Sequence, residues 1–109
     1  MLSLVLLAFA AAPAGGAAPN TAAIDRNRAA YRSCLTSAVA AAKPPAVTAD
    51  KFADFVRAQC AAQQQALTDA MISFDMRNGA SRKSATEGAN MAVDDYMETA
   101  KNNWAAHNP

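Results

Sequence analysis

The clearest chemistry in this 109-residue chain belongs to two cysteines, Cys34 in "YRSCLTSAV" and Cys60 in "RAQCAAQQQ". The stretch between them is far too long for C-x-x-C redox chemistry, and the C-x-x-C-H signature of haem attachment is absent. Two cysteines allow one intramolecular pairing, so a Cys34–Cys60 disulfide is expected if the chain is exported. In a reducing compartment the same residues would be two buried free thiols. Oxidised, the pair would stabilise the fold by about 3–3.5 kcal/mol in the chain-entropy account.

A second constellation lies in "RNGASRKSAT", where Arg77, Arg82 and Lys83 surround Ser81 and Ser84. Free amides at a helix N-terminus together with basic side chains can hold a small anion. The plainer reading is a capped, solvated turn. Other chemistry has less to stand on. The single histidine, His107, is third from the C-terminus, where a catalytic base is poorly held. One histidine and two paired cysteines cannot build a zinc cage. Asp94, Asp95 and Glu98 read as a solvated helix face, with Glu98 placed to pair with Lys101. These residues predict a non-enzymatic protein with no cofactor and no metal.

The elements that must position these residues are helices. Beyond residue 14 there are 25 Ala but only 2 Leu, 2 Ile, 4 Val and 3 Phe. Alanine favours helix and adds little burial energy. Such a chain forms helices readily and has few large side chains to lock them together, which is where a covalent staple helps most.

Three helical stretches are expected. The first runs from about Thr21 to Ala42, with Ile24, Tyr31, Leu35, Ala38, Val39 and Ala42 on one face. Asn20 or Thr21 can cap it, and Pro44-Pro45 ends it. The second starts at the Thr48 cap and runs to Asn78-Gly79, a length at which a kink or break would be no surprise. Its stripe holds Phe52, Phe55, Val56, Cys60, Leu67, Ala70, Met71 and Phe74, with Gln59 and Gln63 falling inside it. Those amides should bond across the helix seam if buried. The third follows Ser81 or Ser84, with Ser84-Ala85-Thr86-Glu87 reading as a capping box. Its apolar face carries Ala85, Ala89, Ala92, Val93, Tyr96, Ala100 and Trp104, and the opposite face Glu87, Asp94, Glu98 and Lys101.

In an antiparallel hairpin, Cys34 and Cys60 come out at nearly the same height above the Pro-Pro turn, at about 13 and 18 Å. Ala30, Ala38, Ala61 and Ala62 would let the two backbones approach. Met71, Met76, Met91 and Met97 read as core filler. The expected fold class is therefore all-α. A disulfide-stapled antiparallel hairpin takes a third helix to complete a small three-helix bundle.

The N-terminus reads as a targeting segment. Leu2 to Ala12 is apolar apart from Ser3, too short to span a bilayer, and Ala12-Pro13-Ala14 is a small-x-small cleavage site. The expected organisation is a signal peptide over 1–14, with cleavage as late as 18, and a flexible stretch over 15–20. A helical domain over 21–104 and a frayed tail over 105–109 follow. A positively charged n-region is missing. The net charge of +1 gives no electrostatic footprint for nucleic acid. No later segment reads as a membrane span.

The sequence thus points to the periplasm or the exterior. The leading expectation is a module that binds a protein partner or assembles as a homo-oligomer. A periplasmic stress chaperone and an anion or ligand binder using the turn 77–84 are the alternatives.

Overall fold

The computed structural model describes residues 21–109, and the expected signal peptide and flexible stretch lie outside the described residues. The protein is all-α, with no strand among the described residues. Its helices are α1 (Ala22–Ala41), α2 (Phe52–Gln59), α3 (Ala61–Arg77) and α4 (Arg82–His107). Helix α1 packs antiparallel to α2 and α3, and α4 lies against all three, which makes a small stapled bundle.

The expected inward face of α1 is the buried one. Ile24, Tyr31, Leu35, Ala38 and Ala42 are buried, and Val39 is half-buried. At the N-terminus Thr21 occupies the cap position without a side-chain cap bond, its hydroxyl donating to the Asp25 carboxylate instead, at 3.2 Å. The helix ends before Pro44-Pro45, where the Ala42 amide donates to the Ala38 carbonyl at 2.9 Å. Val47 then tucks into the core as the loop crosses over.

The second expected helix differs in two ways. It starts at Phe52 rather than at Thr48. Thr48 closes a turn with Lys51 and gives its hydroxyl to the Asp50 carboxylate, which holds that carboxyl below its ordinary range. The stretch is also two helices, α2 and α3, joined at Cys60. Cys60 has φ −117° and ψ 22°, outside helical geometry. Its amide still donates to Val56 O at 3.0 Å and its carbonyl still accepts from Gln64 at 2.9 Å. The chain bends there without abandoning the ladder.

Several side chains lie elsewhere than expected. Gln59 is exposed and Gln63 half-buried, so neither amide lies in the core. Ala30, Ala61 and Ala62 are exposed, so of the four alanines beside the cysteines only Ala38 is packed. Met97 is core and Met71 half-buried, but Met76 and Met91 are exposed, at 37% and 67%.

Helix α3 closes in a Schellman motif. Gly79 sits at φ +100°, its amide donates to Met76 O at 3.1 Å, and the Ala80 amide reaches Asp75 O at 3.0 Å. Glycine is required there because a side chain disfavours that φ. Ser81 then caps α4, its Oγ accepting from the Ser84 amide at 3.1 Å. The box expected at Ser84–Glu87 is therefore not the helix start. Ser84 already lies inside the first turn, and Glu87 is an exposed residue of the helix body. At the other end α4 continues through His107, where a frayed tail was expected after residue 104. Asn108 Nδ2 donates to Trp104 O at 2.9 Å and holds the last turn.

The largest fully buried side chains are Tyr31, Phe52 and Leu67. Phe52 stacks at a tilt on Trp104 with ring centroids 5.1 Å apart, and Tyr31 meets Tyr96 edge-on at 5.5 Å. Ala85 and Ala89 are buried too, small enough to let α4 lie close on α3 near the turn between them.

Candidate functional site

The expected chemical residues fall at three places. The first is the staple. Cys34 and Cys60 are disulfide-bonded, with Cα atoms 5.8 Å apart. Cys60 is 1% exposed and Cys34 is half-buried. Cys34 Sγ lies 3.6 Å from the Gln59 carbonyl oxygen. A disulfide sulfur carries no hydrogen, so this is a packing contact and not a hydrogen bond.

The second is the turn between α3 and α4. Arg77 lies in the last turn of α3, Ser81 is the cap of α4, and Arg82, Lys83 and Ser84 are its first residues. All five are exposed. The Ser81 hydroxyl is committed to the Ser84 amide. The third is the C-terminal turn of α4, where His107 Nδ1 is 2.9 Å from Asn103 O. Asp94, Asp95 and Glu98 are exposed, and among the described residues no three acidic, histidine or cysteine side chains are grouped to hold a metal. Glu98 and Lys101 do not pair; the salt bridge among the described residues joins Arg28 to Asp25 at 3.5 Å.

A further feature could not be read from the sequence. Helices α1 and α4 do not close on each other along their outer edge. They leave a groove, open on one side, whose central section encloses about 330 Å³. Leu35, Val39, Tyr96 and Ala100 floor it, and Arg32, Thr36, Thr99, Asn103 and His107 form its rim. One end continues past Val39 and His107 to Lys43 and Asn108; the other reaches Ala92 and Asp95. Neither Arg32 nor Lys43 has a carboxylate partner among the described residues. The groove is thus apolar below, with Arg32 of α1 and Lys43 of the following loop at its rim and Asp95 of α4 at its other end.

Tyr31 is the one buried polar group without a partner among the described residues. Its ring is 0% exposed and its hydroxyl makes no hydrogen bond. Burial pushes its pKa up, only partly opposed by the Arg57 guanidinium. Removing an unpaired buried hydroxyl removes a desolvation cost, so Tyr31→Phe should leave stability unchanged or raise it by up to about 1 kcal/mol. The folded protein holds the Tyr31 proton to higher pH than the unfolded chain does. Stability is therefore lost as pH rises through the ordinary tyrosine value of 10.0, and the loss should be shallower in Tyr31→Phe. Urea melts of both proteins from neutral to alkaline pH check this. A destabilised variant would mean that the hydroxyl is bonded in solution.

No known protein family matches the chain, and neither a curated protein nor a solved structure matches it.

Proposed function

We propose that this is a small exported protein that works without catalysis, by holding a protein partner or by assembling with its own copies. The observation that supports this most is the α1–α4 groove, an apolar floor with the unpaired cations Arg32 and Lys43 at its rim. A groove between two helices, open along one side, suits a macromolecular surface better than a small molecule. Small-ligand sites usually bury most of the ligand's area.

Two observations support export. The disulfide belongs to an oxidising compartment, and the apolar stretch Leu2 to Ala12 has the length of a signal h-region. No helix among the described residues is long and apolar enough to cross a membrane.

The test has two parts. Intact mass of the protein from a periplasmic or secreted fraction, alkylated without reduction, should show a shortened chain with no alkyl adduct. Size-exclusion chromatography with light scattering, and crosslinking in the intact envelope, should show an oligomer or a retained partner. A full-length, doubly alkylated chain would overturn export. A strict monomer that crosslinks to nothing would overturn the binding reading.

A further inference from the structure

The two sulfurs of the staple are not equivalent. Cys60 is a core residue, 1% exposed and among the fully buried side chains. Cys34 is only half-buried and packs against that core from its edge. Four residues before it and three after it, on the same side of α1, stand Ala30 and Ser37, both short and both exposed. Neither is long enough to cover the sulfur. Across the seam, Cys34 Sγ lies 3.6 Å from the carbonyl oxygen of Gln59, another exposed residue. Around Cys60 the corresponding neighbours are Val56, which is buried, and Gln63 and Gln64, which are half-buried. One end of the bond is therefore at the surface and the other is inside.

We propose that Cys34 is a site of S-thiolation, where a low-molecular-weight thiol opens the staple while the bundle stays folded. A disulfide is opened by a thiolate that attacks one of its sulfurs and expels the other, so access selects the sulfur attacked. The incoming thiol releases its proton to solvent and forms a new S–S bond to Cys34 Sγ. The Cys34–Cys60 bond breaks, and its electron pair leaves on Cys60 Sγ. Cys60 then takes up a proton, because apolar surroundings disfavour a thiolate. One disulfide replaces another, so nothing is oxidised or reduced overall in this step. The reverse, attack of Cys60 on Cys34 Sγ with loss of the small thiol, closes the staple again. Cys34 is the exchanging sulfur in both directions, and Cys60 is its internal partner. While the thiol occupies Cys34, α1 is held to α2 and α3 by packing alone. Neither export nor a binding partner is needed for this chemistry.

The experiment incubates the intact, disulfide-bonded protein with an excess of reduced glutathione at mildly alkaline pH. Samples are quenched with acid at early times, and their peptides are read by mass spectrometry. Glutathione should sit on the Cys34 peptide at least about tenfold over the Cys60 peptide, with Cys60 found as the free thiol. Repeating the reaction in about 1 M urea separates attack on the folded protein from attack after unfolding. The first should change in initial rate by less than about twofold, whereas a route through unfolding would speed up about fivefold or more. Two variants are measured beside it, Cys60→Ala and Cys34→Ala, each with iodoacetamide under native conditions. Cys34 in the first should be alkylated at least about tenfold faster than Cys60 in the second. If circular dichroism shows that loss of the staple unfolds the variants, the wild-type measurement decides.

Glutathione spread equally over the two cysteines of the wild type, or found mainly on Cys60, overturns the inference. So does a rate of opening that climbs with urea as unfolding does. A bond that glutathione leaves untouched until the protein is unfolded overturns it as well.

Discussion

Replacing Cys34 and Cys60 together by alanine should lower the unfolding free energy by about 3 kcal/mol. The bond closes a sequence separation of 26 residues, which it denies to the unfolded chain. For a domain of this size the change corresponds to a fall in Tm of about 12–24 °C. Domains typically have about 5–15 kcal/mol in total, so the loss is a large fraction of what holds this one together. The large apolar side chains fully out of water are few: Tyr31, Phe52, Leu67 and Val56. Urea unfolding of wild type and double variant, at neutral pH without reductant, measures the difference. The urea slope should rise in the variant, because its unfolded chain is no longer looped and exposes more surface. A loss below about 1 kcal/mol would mean that packing alone holds α1 against α3.

The same variant tests why the chain bends at Cys60. Phe52 to Arg77 contains neither proline nor glycine, the usual causes of a break. The joint instead falls on the residue that is tied to α1. If the tie sets the bend, residue 60 should take helical chemical shifts once both cysteines are alanine. If it does not, the packing of Phe52 and Val56 holds α2 in place.

This joint marks the boundary between what the sequence could and could not reveal. The helices, the Pro44-Pro45 and Asn78-Gly79 stops and the buried line from Ile24 to Ala42 follow from period and turn chemistry, which are local. The pairing of Cys34 with Cys60 follows from counting and from height along a hairpin. What failed depended on the third dimension. One continuous stripe from Phe52 to Phe74 placed Gln59 and Gln63 inside; the stripe does run on through Cys60 to Leu67, but Gln59 lies outside it and Gln63 at its edge. Thr48 and Ser84 are both good caps by type, and each lost to a competitor nearby. Thr48 is held by Asp50, and Ser84 was pre-empted by Ser81. Alanine is the hardest residue to read. Ala30 and Ala85 look alike in sequence, yet one is exposed and the other 1% exposed. The groove arises for the same reason, since nothing in an alanine-rich pattern says which helix edges will close.

Trp104→Ala should be the most damaging single substitution at the loop end of the bundle, costing about 3–5 kcal/mol. Trp104 is 4% exposed, stacks on Phe52 and donates from Nε1 to the Ala42 carbonyl, across 62 residues of sequence. That carbonyl is at the end of α1, where helix geometry provides no partner of its own. The substitution therefore leaves a cavity beside Phe52 and an unanswered acceptor together. Trp104→Phe separates the two effects. It keeps most of the apolar volume and loses the donor, so it should cost about 1–2 kcal/mol, in the range for an unsatisfied buried group. Urea melts of the three proteins, followed by circular dichroism because Trp104 is the single tryptophan, give both differences. Equal losses for the two variants would put the energy in the hydrogen bond and would make Phe52 a bystander. A small loss for both would mean that the loop end is not where the bundle is closed. The expected order, alanine well below phenylalanine, would identify one aromatic stack as the second fastening of a fold whose first is covalent.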